Sequence, residues 1–522
     1  MAKGDLILAA DFGTSGVKIG AVGPDLTLLA TAIEPYPLSL PGPDCAEQAP
    51  QDWWNALVRG VARLDSKVPD LKTRTGAVVF CAQMCGLICA DKDGAPLRPA
   101  MVWLDKRSAP LMRRLVGGFP AIAGYNLGLA QRWIRIANGG PSRNGMDPTG
   151  KMLWIKSQEP DIYDRTATFM DVKDWLVQRA TGQIATTADS ANLTWLMDTR
   201  RGREGWSPLL AKTLGIPLDK LPPIVSGEAE VGGLTTAAAA QLGLRAGTKV
   251  IAGGGDVSAA AIGSGAVADG ALHLSVSSSS WVSGFFDRRV LSVNKAYATI
   301  TSSVGFRPLL IATQESGGSA LGWLAKVADP MRLGNGEALQ DFYSDLGDAK
   351  PDDPYFLPWL AGERVPVDEE RLRGTFYGLS LRHDQNALKR SLIEGVALNT
   401  RWAFSVVSRQ RGVRNDIAIP MVGGAAANPW LAQAIADALN RQICVGDARF
   451  SGVLGAAAMA APAMGWAYSV WQAAEKFQNQ SGPVYDPQPD RVAQLDERYE
   501  HLSGIRRAMI KLYRRPATGQ IR

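Results

Sequence analysis

Cysteine is scarce in this chain, positive charge is thinly spread, and the familiar glycine-rich phosphate motifs are missing; each shortage removes a class of protein. Cys45, Cys81, Cys85, Cys89 and Cys444 make an odd, sparse set in 522 residues. They support no disulfide framework and point to a reducing compartment. Cys81, Cys85 and Cys89 recur every four residues without an acidic or histidine partner. A metal cluster is therefore not expected, and the spacing predicts one face of a buried strand segment. The formal charge of +6 is small for the length, and no compact basic patch with interleaved aromatics marks a nucleic-acid surface. The basic tail over 506–522 reads as a solvated helix end. No charged-then-apolar leader opens the sequence, so a cytoplasmic location is expected. Residues 450–471 carry no charge, yet their alanine and glycine content, with Pro462 inside, predicts a buried helix rather than a membrane span. The Walker pattern is absent, because Gly13 and Gly16 are too close and Lys18 has no Ser or Thr after it. Asp11-Phe12-Gly13 has only ten residues before it, too few for a protein-kinase lobe. Neither later glycine cluster fits a dinucleotide fingerprint.

What is present begins at residues 6–18. An apolar run delivers Asp11 into the turn Phe12-Gly13-Thr14-Ser15-Gly16, followed by Val17 and Lys18. Two glycines let backbone N–H groups approach an anion, Thr14 and Ser15 add hydroxyls, Asp11 suits a hydrated cation and Lys18 supplies charge. The extended pattern continues to Gly23-Pro24-Asp25, so the turn reads as a β-hairpin tip. These residue types also suit an ordinary hairpin turn. A hydrophobic fraction of 46% and a charged fraction of 20% over this length imply a globular protein with two or more domains.

Further along, Asp52 is placed to cap a helix through Leu64, and residues 75–81 read as a strand ending at Gln83-Met84-Cys85-Gly86. Trp103, Asp105 and Arg107 combine a ring face with a carboxylate and a guanidinium, equipment for a polyol, although Trp103 alone fits a core position equally well. A domain boundary is placed near Gly247. Beyond it, residues 248–252 read as a strand, Gly253-Gly254-Gly255 as a sharp turn, and Asp256 as a carboxylate at a helix start, favoured as the anion and able to accept a proton. Residues 272–286 then echo the opening, with a strand, the hydroxyl-rich run Ser277-Ser278-Ser279-Ser280 and a strand. One such hairpin per half implies a duplicated architecture with nucleotide between the halves. Gly423-Gly424 before a helix from Pro429 is a further anion or adenosine seat.

Taken together, residues 11–18, 83–86, 103–107, 253–256, 356–366 with 374–379, 394–396 and 423–437 resemble the sugar-kinase (FGGY) family of xylulose, ribulose, gluconate and glycerol kinases, and xylulose kinases most. The resemblance implies an α/β protein of two ribonuclease-H-like (actin-like ATPase) domains, 1–247 and 248–522, each a mixed sheet flanked by helices, with an interdomain active-site cleft. It implies ATP-dependent phosphorylation of a small sugar, D-xylulose first, with ATP and Mg2+ as cofactors. The partners implied are a sugar and ATP, with neither nucleic acid nor membrane, and a homodimer is among the assemblies expected. Asp256 takes the place of the general base and Asp11 that of the magnesium ligand. Gly13, Thr14, Ser15, Lys18, Ser278, Gly318, Gly424 and Asn428 fall at ATP positions, and Met84, Cys85, Trp103, Asp105 and Asp256 at the sugar pocket. Three departures stand out. Cys85 replaces a usual histidine, the serine run replaces Gly-Thr-Ser-Gly, and 423–428 follow the glycerol-kinase form. A serine forced to φ > 0 at a former glycine would cost about 1–2 kcal/mol. The alternatives are therefore another ketose or polyol (ribulose, fuculose, erythritol, glycerol) and a sugar- or nucleotide-binding protein impaired in catalysis.

Overall fold

Alternation along the first strand decides how the N-terminal half is layered. In β1 (Leu6–Phe12), Leu6, Leu8, Ala10 and Phe12 turn to one face and Ile7, Ala9 and Asp11 to the other. The first set packs with Trp53, Trp54 and Trp175, from helices α1 (Pro50–Asp65) and α2 (Val172–Thr181). The second set packs with Ala259 and Ile262 of α3 (Asp256–Gly263) and with a helix that arrives from much later in the chain. The computed structural model describes residues 4–122, 124–329, 336–446, 448–479 and 482–514.

β1 pairs antiparallel with β2 (Gly16–Val22), which pairs antiparallel with β3 (Leu28–Pro35). On its other side β1 lies parallel to β4 (Thr75–Ala82). With β5 (Glu230–Gly233) and β6 (Lys249–Gly255) the sheet order is β5-β6-β4-β1-β2-β3. The second sheet repeats this scheme. A hairpin of β7 (Leu272–Val276) and β8 (Ser280–Phe285) is followed by β9 (Leu291–Ser292), β10 (Tyr297–Thr301) and β11 (Pro308–Gln314). β12 (Ile419–Val422), β13 (Ile443–Cys444) and β14 (Val484–Tyr485) complete the order β9-β10-β11-β8-β7-β12-β13-β14. In both sheets a three-strand antiparallel meander is extended by two parallel strands, β4 and β6 in one, β12 and β13 in the other. These are the two ribonuclease-H-like halves expected from the motifs.

β6 is the fifth core strand of the first sheet, so a boundary near residue 247 falls one strand early. Its glycines are not a sharp turn: the strand runs through them, with an irregularity between Ile251 and Gly254 where Gly253 has φ 73. The second half supplies α4 (Gly318–Ala328), α5 (Gln385–Val407) and α6 (Pro429–Leu439). α7 (Ser451–Ala460) then returns to the first sheet, burying Val453, Leu454 and Ala456 to Ala460 against Ile7, Ala9, Val79 and Ile251. A methyl on Gly455 would strike the carbonyl of Ala259, and one on Gly263 the carbonyl of Ser451, so α3 and α7 meet backbone to backbone.

Several expectations need correction. The uncharged 450–471 segment is buried as expected, but its helix stops at Ala460 because Pro462 cannot continue it and opens a short 3-10 turn instead. α1 starts at Pro50 with no side-chain cap, and Asp52 lies in its first turn, where the helix dipole favours it. The three cysteines do not share a strand. Cys81 lies within β4, one residue before its end, Cys85 sits in a turn, and Cys89 belongs to the short strand Ile88–Ala90. Arg506 is buried under Trp402 and Tyr499 rather than solvated, and residues 515–522 of the expected tail lie outside the described residues. Among the described residues no helix is long and apolar enough to cross a membrane.

Candidate active site

Asp11 faces away from the tryptophans, toward the space where α3 and α7 begin. Its cross-strand partner is Lys18, whose Nζ is 3.6 Å from Oδ2. Cys81, beside it on β4, has Sγ 3.5 Å from Oδ1. A methyl on Gly452 would lie 2.6 Å from Oδ2; only glycine lets α7 start against this carboxylate. The 12–16 segment is the expected hairpin tip, closed by the Gly13 N–H donating to the Gly16 carbonyl at 3.0 Å. Thr14 is tied to Trp103 and Gln48 in a way the sequence did not announce. Its Oγ1 accepts from Trp103 Nε1 at 2.9 Å, and its carbonyl accepts from Gln48 Nε2 at 2.8 Å. Gln83 Nε2 in turn donates to Gln48 Oε1 at 2.7 Å. Ser15 is exposed at the tip.

Asp256 is the first residue of α3, with Oδ1 accepting from the Val257 N–H at 2.8 Å. Burial, and next the nearby Asp11 carboxylate, push it up to about 7. Such a group is half ionised near neutrality, the range in which proton transfer is most useful. Met84 packs on the residue before it, since a methyl on Gly255 would collide with the Met84 sulfur. Cys85 stands in the left-handed region with φ 62, and burial holds its thiol well above its ordinary value. Asp105 is buried, and both its oxygens are engaged by the protein: Oδ2 accepts from the Ala46 N–H at 2.8 Å and from Arg107 Nη2 at 2.7 Å, and Oδ1 from Arg107 Nε at 3.0 Å. The fork geometry of arginine claims this carboxylate, so Asp105 orders the loop behind Trp103 instead of presenting a free oxygen.

Asp189 lies in the short helix Ala188–Leu193. It is wholly buried, accepts from the Gly255 N–H at 2.7 Å through Oδ2, and holds Thr187 Oγ1 and the Ser190 N–H through Oδ1 at 2.6 and 2.9 Å. It fixes the backbone that leads into Asp256. No local motif signals this, because Gly255 lies 66 residues away.

The second sheet carries the remaining residues. The Ser278 carbonyl accepts from the N–H groups of Gly317 and Ser319 at 3.0 and 3.1 Å, and the Ser277 carbonyl accepts from Gly318 at 2.6 Å. The turn between β7 and β8 is thus bonded to the start of α4. None of the four serines has a positive φ, so the strain expected from replacing glycine there does not arise. Gly424 faces open space. Asn428 caps α6, its Oδ1 accepting from the Leu431 N–H at 3.0 Å. Glu363 pins the neighbouring loop: it accepts from the N–H groups of Arg364 and Glu315 at 2.9 and 3.2 Å and from Asn399 Nδ2 at 2.6 Å, while Arg364 pairs with Glu315 at 2.7 Å.

Most of the chain matches the models of a single family. The N-terminal domain of the FGGY family of carbohydrate kinases matches residues 6–263, and its C-terminal domain matches residues 290–464. The chain belongs to this family. The kinase is 29% identical over 475 residues to a xylulose kinase from Staphylococcus epidermidis, covering 91% of each chain. It is 26% identical over 538 residues to an erythritol kinase from Brucella abortus, covering 99% of each. Among solved structures, a gluconate kinase from Lactobacillus acidophilus superposes with a TM-score of 0.82 at 25% identity, over 97% of this chain and 98% of that one. The N-terminal family domain runs to residue 263, through β6 and α3, in agreement with the sheet topology.

Proposed function

We propose that this carbohydrate kinase transfers the γ-phosphoryl group of ATP to a pentulose, D-xylulose first, with Asp256 as general base. The observation that carries the reading is Asp256 itself: a carboxylate at a helix start, held from behind by Asp189, raised to about 7 and backed by the Met84 side chain. The xylulose kinases among its relatives support the choice of sugar. Asp256 takes the proton of the accepting hydroxyl at its carboxylate. The hairpin tip 12–16 and the 277–280 turn then offer N–H and hydroxyl donors to phosphate oxygens, with Lys18 supplying charge. Trp103 spends its N–H on Thr14, which leaves the Thr14 hydroxyl proton free to donate. Gly424 leaves room for the adenosine, whereas Asn428 contributes through the helix it caps.

Magnesium fits Asp11. The ion keeps most of its water and asks for one or two carboxylates besides phosphate oxygens, and the described residues gather no larger cluster of His, Cys, Asp or Glu. Bound there it would neutralise phosphate charge. A polyol is the second reading, favoured by Cys85 in the turn where xylulose kinases usually carry histidine and by the erythritol kinase relative.

The test is coupled ADP release over a panel of pentuloses, polyols and gluconate. Turnover is expected with D-xylulose, and Asp256→Ala should cut it by at least about a hundredfold with the fold intact. Unchanged activity in that variant removes the proposed base, and turnover confined to polyols moves the substrate to the second reading.

A further inference from the structure

The turn carrying Met84, Cys85 and Gly86 is gripped from both sides by buried ionisable side chains. Cys85 lies at φ 62, where a side chain crowds the following carbonyl and the conformation must be held by its surroundings. Its own carbonyl accepts from Lys151 Nζ at 2.5 Å. The N–H at the other end of the same peptide bond, that of Gly86, donates to Asp171 Oδ1 at 2.9 Å. A buried lysine therefore sits at the negative end of one peptide dipole and a buried aspartate at its positive end.

Lys151 comes from the helix Pro148–Gln158 and is wholly buried. Its second hydrogen bond goes to the Val102 carbonyl at 2.8 Å, the residue before Trp103. One lysine thus ties the 84–86 turn to the segment that presents the tryptophan. Among the described residues its hydrogen bonds go only to these two neutral carbonyls, a poor bargain for folding alone. What it secures is the relative placement of two chain segments, one packed through Met84 against Gly255 beside Asp256 and the other bonded through Trp103 to Thr14.

We propose that Lys151 and Asp171 are positioning residues of the acceptor-sugar pocket, locking the Cys85–Gly86 peptide plane and the carbonyl before Trp103 so that the sugar meets a preformed site. This rests on the kinase reading above. It deepens that reading by locating the specificity of the pocket in backbone orientation as well as in side chains.

Two readouts test it on the full chain. With whichever sugar the parent phosphorylates, Lys151→Met should raise the sugar KM about tenfold, the change that roughly 1.4 kcal/mol gives, and leave the ATP KM within about twofold. Mass-spectrometric alkylation should show Cys85 reacting faster while the buried Cys81 and Cys89 keep their parental rates. A sugar KM unchanged in the folded variant, or all three thiols opening together with both KM values rising, overturns the proposal. Asp171→Asn keeps an acceptor oxygen for Gly86 and removes the ionisable group, so it serves if Lys151→Met does not fold. A smaller rise in sugar KM alone is expected, and no change in sugar KM or in Cys85 reactivity overturns it. A parent inactive on every sugar would remove the kinase reading only, since the alkylation arm needs no substrate.

Discussion

At the scale of the residue, the most consequential side chain is also an expensive one. Asp256 rises from 3.8 to about 7, by burial first and by Asp11 second. Folded protein thus holds a proton that the unfolded chain releases above about 4, and the stability this gives is lost as pH climbs through 7. Asp256→Asn should therefore abolish turnover yet raise the melting temperature at pH 8, with a gain in unfolding free energy of up to about 4 kcal/mol that is gone at pH 4. Calorimetry at the two pH values checks the sign. Equal melting curves for parent and variant at pH 8 would show that the carboxylate is well solvated. For the parent, kcat/KM should fall on the acid side of pH 7. The placement of single positions was legible: Asp11 at a strand end, Thr14 in a hairpin tip and Asp256 at a helix start stand where their short motifs put them. Lys151, Asp171 and Asp189 were not legible as part of the site, because each acts on backbone groups 49 to 85 residues distant in sequence.

At the scale of the element, the two hairpins differ in how they are supported. The first is steadied by side chains, Gln48, Gln83 and Trp103, whereas the second is bonded through its backbone to the start of α4. A methyl on Gly318 would lie 2.7 Å from the Ser277 carbonyl and 2.8 Å from Ala425 Cβ, so Gly318→Ala must push the helix off the turn. A raised ATP KM with the sugar KM held, and a loss of about 1–3 kcal/mol in stability, are expected from steady-state kinetics and urea melts. Strands and helices were read well where a periodic pattern met a turn. Boundaries slipped at glycine. The Gly253–Gly255 run looked like a sharp turn, because a strand that bulges and a strand that ends use the same residues.

At the scale of the whole molecule, duplication was visible in the paired hairpins, but the path of the chain was not. α7 belongs by sequence to the second half and by packing to the first sheet, where it covers Ile7, Ala9, Val79 and Ile251. Its composition announced burial without saying against what. A fragment of residues 1–263 should therefore aggregate or show no cooperative melt by itself, and gain one when residues 264–522 are co-expressed. A fragment that is monomeric and melts sharply would show the two halves to be independent.

The return of α7 also sets a schedule for synthesis. A ribosome completes the last strand of the first sheet at residue 255 and must add roughly two hundred more residues before the helix that roofs it has emerged. Translation runs at about 5–20 residues per second, so each nascent chain carries a bare apolar face for ten seconds or more. Holdase capacity and the speed of decoding across 264–460, more than the strength of the finished core, would then govern how much active kinase a cell obtains.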